Sequence, residues 1–251
     1  MAANKYFPSK LGYTMITVIV GEDANEQKFA VHKDLICSRS EFFRTCMNGK
    51  WKESEDKIVK LPEEDPKVFE RYLQSLYAGH VNHPEDTTFD PSCFTIYGRL
   101  FALAQKFLDR DARNMVVKAI FEEVSRSVIL SGKRPSSELC CMISQIWEVA
   151  AFDGPVRALL IQIFVFFNMD NSGAEADAEC NNLLECFRKL PLDYVGRVTT
   201  ALIMKRRDAY SSHLDQMRQS WQVENYLGKN DEGQEQAKNK GWKKVVFEVL
   251  P

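Results

Sequence analysis

The stretch Lys28–Val81 places a strand, a capped helix pair, a charged loop and a second amphipathic helix in one continuous run, each with its own punctuation. Phe29 and Val31 alternate with the smaller or polar Lys28, Ala30 and His32, which is strand patterning. Ser38 with Glu41 three residues later reads as a capping box, and the helix from about Arg39 to Met47 sets Phe42, Phe43, Cys46 and Met47 on one face. Asn48-Gly49 ends it. Ile58, Val59 and Leu61 form a short strand bounded by Pro62. Asp65 then caps a helix with Pro66 at its first position, and Phe69, Tyr72, Leu73, Leu76 and Tyr77 make an apolar stripe that stops at Gly79. Nothing in the run is built for catalysis, which points to a product that is a surface for other proteins.

Upstream, Ile16, Val18 and Val20 alternate, and Gly21–Asn25 supplies turn chemistry, so residues 15–32 read as a β-hairpin. Residues 1–14 are a short polar leader. Downstream, Ile96–Phe107 and Asp111–Val124 carry helical stripes, and the run Ser131–Ser137 is the best candidate boundary. Four further helices are expected, at about Glu138–Ala150, Gly154–Asn168, Ala178–Leu190 and Pro191–Ser211. The first two of these are greasy nearly all round, so they must be covered by other helices or by a partner. Residues 225–241 are polar and read as mobile, and Trp242–Leu250 alternates Val245, Phe247 and Val249, as an edge strand or a short peptide motif would.

Composition narrows the classes. Residues 1–125 carry 17 Lys/Arg against 19 Asp/Glu and residues 126–251 carry 16 against 16, so neither half is basic enough for a nucleic-acid or membrane surface. The seven cysteines are odd in number and scattered, and no secretory leader precedes them, so free thiols in an intracellular compartment, cytoplasmic or nuclear, are expected. The longest apolar run, Ala158–Phe167, is about half of the ~20 residues a membrane helix needs. No nucleophile elbow, phosphate loop or dinucleotide turn occurs, and no enzyme activity or cofactor is expected. His80 and His83 lack partners at metal-binding spacing, adjacent Cys140 and Cys141 are poorly placed to share a metal, and His32 reads as a hydrogen-bonded structural residue. Lys205-Arg206-Arg207 reads as a cation-rich last helical turn.

Residues 15–125 resemble a BTB/POZ domain, on several segments in order: T-V-I-V-G at 17–21, F-A-V-H-K-D-L-I at 29–36, S-R-S-E-F-F-R at 38–44, G-K-W-K-E-S at 49–54, L-Y-A-G-H-V at 76–81 and F-A-L-A-Q-K-F-L at 101–108. The spelling and the helical extension look most like the fungal members. The resemblance implies an α+β fold, a small β-sheet capped by helical hairpins, followed by an all-α region over 136–224 and a C-terminal tail over 225–251. It also implies a non-enzymatic protein–protein interaction role, either as a substrate adaptor for a cullin-type E3 ubiquitin ligase or as a self-associating regulatory scaffold with no ligase contact. Trp51, Lys52 and Glu53 fit the hydrophobic-x-acidic tripeptide of the cullin-binding members, where an exposed aromatic beside a carboxylate suits a hot spot with a charged rim. In many dimerising members an acid before the first strand partners the arginine of the arginine-serine segment. Here Met15 stands at the acidic position while Arg39 is kept, so a charged pair between them is not expected.

Overall fold

The computed structural model describes residues 12–49, 52–82, 92–131, 137–152, 154–169 and 188–208, with the side chains of residues 52, 127–131, 166–169 and 204–208 left aside. The described residues fall into two compact units, one drawn from residues 1–87 and 96–120, the other from 88–95 and 121–251. The expected helix at Ala178–Leu190, apart from its last residues, and the segments 225–251 lie outside the described residues, as does most of the leader.

In the first unit β1 (Met15–Val20) and β2 (Gln27–His32) form the expected hairpin, antiparallel with Met15 opposite His32 and Val20 opposite Gln27. The turn needs Gly21, whose φ is +86° and whose added Cβ would lie 2.7 Å from the Asn25 carbonyl oxygen. β3 (Ile58–Leu61) pairs parallel to β1, giving the order β2-β1-β3. A parallel neighbour requires a crossover. Three short helices supply it: α1 (Lys33–Arg39), α2 (Glu41–Asn48) and α3 (Lys52–Asp56).

Two of these helices were not legible as such, and the capping box does not form. Ser38 lies inside α1 and donates its hydroxyl to the Leu35 carbonyl at 2.7 Å. The cap of α2 is Ser40, which accepts from the Phe43 N–H at 3.2 Å, and no Glu or Gln stands three residues after it to reciprocate. The segment read as a charged loop before the third strand contains α3.

α4 (Pro66–Ala78) follows expectation closely: Asp65 accepts from the Lys67 N–H at 2.7 Å, and Gly79 closes the helix in the left-handed conformation. α5 (Ser92–Lys106) and α6 (Arg110–Ser131), both longer than their apolar stripes suggested, contribute residues 96–106 and 110–120 to this unit. The core gathers the inward row of β1, Ile16, Val18 and Val20, with Leu35, Ile36 and Leu76. At its centre stands Phe107. Its ring lies 5.0 Å from Phe43, 5.2 Å from Tyr72, 5.5 Å from Phe42 and 6.1 Å from Phe69, mostly edge to face.

Among described residues the second unit contains α7 (Ser137–Val149), α8 (Pro155–Met169) and α9 (Leu192–Asp208). The greasy faces of α7 and α8 are covered: Ile143, Ile146, Trp147, Leu160, Ile163 and Phe164 are all buried. Tyr194 from α9 locks them, its ring 4.9 Å from Trp147 and 6.0 Å from Phe164 while its hydroxyl donates to the Leu160 carbonyl at 3.0 Å. Burial pushes the Tyr194 phenol well above its ordinary range.

α5 ends in a paired 6→1 and 5→2 closure, Asp109 N–H to Ala104 O at 2.9 Å and Leu108 N–H to Gln105 O at 3.1 Å. The left-handed position of such a closure usually holds glycine, yet here it holds Leu108 at φ +54°. Leu108 is also more than half exposed, so it has little packing to lose. Leu108→Gly should therefore stabilise the fold, by about 0.5–1 kcal/mol in urea denaturation, through relief of left-handed strain. Phe107→Ala at the neighbouring hub should cost about 3–5 kcal/mol in the same measurement.

Candidate partner-binding surface

Of the tripeptide singled out by sequence, Lys52 and Glu53 are the first two residues of α3. Met47 anchors the end of α2 in the core, and the Ser54 hydroxyl donates to the Met47 carbonyl at 2.9 Å, closing the connection back on α2. Glu53 lies in the first turn of α3, exposed, where a carboxylate is favoured by the helix dipole. Glu55 and Asp56 are exposed beside it. Lys57, at φ +55°, turns the chain into β3. Trp51 lies outside the described residues, and of Lys52 only the backbone is placed. Burial, and then the Glu53 charge, push the Cys46 thiol up, so this thiol stays protonated near neutral pH.

Arg39 finds its acid elsewhere than the sequence suggested. Met15 is 40% exposed at the start of β1. The Arg39 side chain is 6% exposed, and its guanidinium lies 3.5 Å from Asp109 and 3.5 Å from Asp111, at the α5–α6 junction. Asp109 is fully buried and triply engaged. It accepts the Tyr72 hydroxyl at 2.9 Å, accepts the Ala112 N–H at 2.9 Å as the cap of α6, and faces Arg39. Burial pushes the Asp109 carboxyl up against the opposing pull of Arg39, and burial with the Asp109 charge holds the Tyr72 phenol well above its usual range. The helix was expected from Asp111. The aspartate two residues earlier, Asp109, is the cap, a residue type favoured at that position.

The junction also receives α2. The Ser40 hydroxyl donates to the Phe107 carbonyl at 2.7 Å while capping α2, and the Phe42 N–H reaches the same oxygen at 3.4 Å. The residues that aim the α2–α3 corner are thus Ser40, Phe43 and Arg39, all held from the Phe107–Asp109 segment. His32 is hydrogen-bonded through Nδ1 to the Tyr77 hydroxyl at 2.8 Å, across a T-shaped ring contact. Among the described residues no group of three or more His, Cys, Asp or Glu is placed to hold a metal ion, Cys37, Cys46, Cys93, Cys140 and Cys141 form no disulfide, and no helix is long and apolar enough to cross a membrane. Chemically, the described part of the surface offers the carboxylates of Glu53, Glu55 and Asp56. It has no described arrangement of nucleophile and base.

Compared with known proteins, the chain matches the family model of the BTB/POZ domain over residues 9–107. No curated protein matches it.

Removing the Asp109 carboxylate leaves the buried Arg39 facing one half-exposed acid. Asp109→Ala should destabilise by about 3–5 kcal/mol, and Asp109→Asn by less because it keeps the α6 cap. The pH dependence has a definite sign. A buried acid whose folded-state pKa is raised favours the folded state most below the unfolded pKa, and that contribution is lost as pH rises through the folded pKa. The stability of the wild type relative to Asp109→Asn should therefore fall as pH rises from below the ordinary carboxylate range to just above it, read by urea midpoints across that range.

Proposed function

Because residues 9–107 form a BTB/POZ domain, a protein–protein interaction module, we propose that this chain is an adaptor that docks a cullin-type ubiquitin-ligase scaffold through Trp51, Lys52 and Glu53. The observation that carries the reading is the placement of Glu53. It is an exposed carboxylate in the first turn of α3, on a corner fixed to the core by Met47 and closed by Ser54. A carboxylate on a helix tied to the core is presented with little ordering cost on binding. An acid there adds an electrostatic rim to the aromatic beside it in sequence. In this reading the BTB domain extends to about residue 125, the helices over 136–224 recruit the substrate, residues 225–251 are a tail, and the role is non-enzymatic and intracellular.

A second reading, self-association, is favoured by one observation. Tyr13 is fully exposed and Met15 is 40% exposed at the start of β1, an apolar pair at one end of the sheet.

Trp51→Ala combined with Glu53→Ala should abolish co-purification of the cullin while leaving the thermal midpoint unchanged; undiminished capture would exclude this corner as the contact. Tyr13→Ser with Met15→Ser should convert a dimer to a monomer in light scattering at micromolar concentration, and a wild type that is already monomeric would sink the self-association reading.

A further inference from the structure

Two thiols face each other across the α1–α2 hairpin. The Cys37 thiol of α1 donates to the Phe43 carbonyl of α2 at 3.6 Å, so it already lies against the α2 backbone. Cys46 stands three residues beyond Phe43 on that helix. A helical side chain leans over the turn on its N-terminal side, and at this spacing a polar atom can reach the carbonyl three residues back. The Cys46 sulfur accordingly sits against its own amide N–H, toward the Phe43 turn. The Cys46 charge in turn acts on the Cys37 thiol. Ser40 alone joins the two helices, which holds them side by side. Both thiols are partly exposed, whereas Cys93 and Cys140 are buried.

The surroundings of the pair differ in sign. Beside Cys37 the charge of Lys33 outweighs that of Asp34, and Arg44 adds a second cation. Beside Cys46 stands Glu53. An anionic small molecule is therefore drawn to the first thiol and repelled from the second. Burial pushes both thiols up, so neither is held as a thiolate. Direct oxidation by a peroxide needs a standing thiolate and is slow at such a pair. Strongly oxidising dithiols owe their behaviour to a stabilised reduced form, and these two thiols lack that stabilisation. A disulfide between them, once made, persists until a reductant attacks it.

We propose that Cys37 and Cys46 form a reversible thiol–disulfide site that exchanges with a small anionic disulfide of the oxidised-glutathione class. The Cys37 sulfur attacks one sulfur of the incoming disulfide, whose S–S bond breaks. One glutathione leaves as a thiolate and takes up the proton that Cys37 gives up. The Cys46 sulfur then attacks the Cys37 sulfur of this mixed disulfide, and the second glutathione leaves with the proton from Cys46. The protein dithiol is oxidised to one S–S bond while the small disulfide is reduced to a pair of thiols. The product ties α1 to α2 through the loop Cys37–Cys46. The site does not depend on the cullin contact read at Trp51–Glu53.

The test uses the full chain, reduced and then freed of reductant. It is incubated with oxidised glutathione, its remaining thiols are alkylated, and it is digested without reduction for peptide mass mapping. The expected product is a peptide pair linked through Cys37 and Cys46 that dithiothreitol releases. In Cys46→Ser the glutathione should stay on Cys37, and should add there roughly ten-fold faster than to Cys46 in Cys37→Ser, because the cations gather it at the first thiol. A serine hydroxyl at 37 can still donate to the Phe43 carbonyl, so these variants should keep the wild-type thermal midpoint. The mapping of the wild type needs no variant at all. The proposal is overturned if Cys37 and Cys46 are both alkylated after treatment, if either is linked to another cysteine instead, or if the linked pair forms only in urea. Equal rates of glutathione addition to the two single variants overturn it as well, since the surrounding charges would then select nothing.

Discussion

Three consecutive residues, Phe107, Leu108 and Asp109, hold the first unit together. They form the corner between α5 and α6, and each sends a different interaction inward or outward. The Phe107 ring is the hub of the aromatic core, and its carbonyl takes the Ser40 hydroxyl that caps α2. Leu108 accepts a left-handed backbone so that the corner can turn. Asp109 caps α6, takes the Tyr72 hydroxyl from α4 and neutralises Arg39 from α1. A buried carboxylate with so many partners is tolerable because each one offsets part of its desolvation. Its pKa still rises, which means that the offset is incomplete.

That corner sets the geometry of the proposed docking surface. α2 is positioned by its cap on the Phe107 carbonyl and by Phe43 against the Phe107 ring, and α3 is closed back on α2 through Ser54. The charged neighbour of Arg39 comes from 70 residues downstream rather than from the strand beside it, so the loss of an acid at Met15 removes one family arrangement without leaving the arginine unpaired.

Much of this architecture was legible because it is encoded locally. The hairpin shows in the alternation Ile16, Val18, Val20 and in a glycine that the turn sterically requires. α4 shows in its aspartate cap, its proline and its left-handed glycine. The errors fall where two local signals compete. Ser38 and Ser40 are both plausible caps two residues apart, and only the distant Phe107 carbonyl distinguishes them, by taking the second hydroxyl. α1 and α3 were missed because helices of seven and five residues carry too few turns for a 3.6-residue period to be read.

The candidate site divides in the same manner. Glu53 could be singled out from its position beside Trp51, whereas nothing local shows that its corner is braced by Met47 and Ser54. From sequence alone came the module, the hairpin, the capped helix α4 and the greasy helices beyond, because hydrophobic period and capping chemistry act between near neighbours. Tertiary structure alone decided which serine caps and which acid meets Arg39. Those outcomes depend on burial and on partners far away in the chain, and spacing along a sequence does not record either.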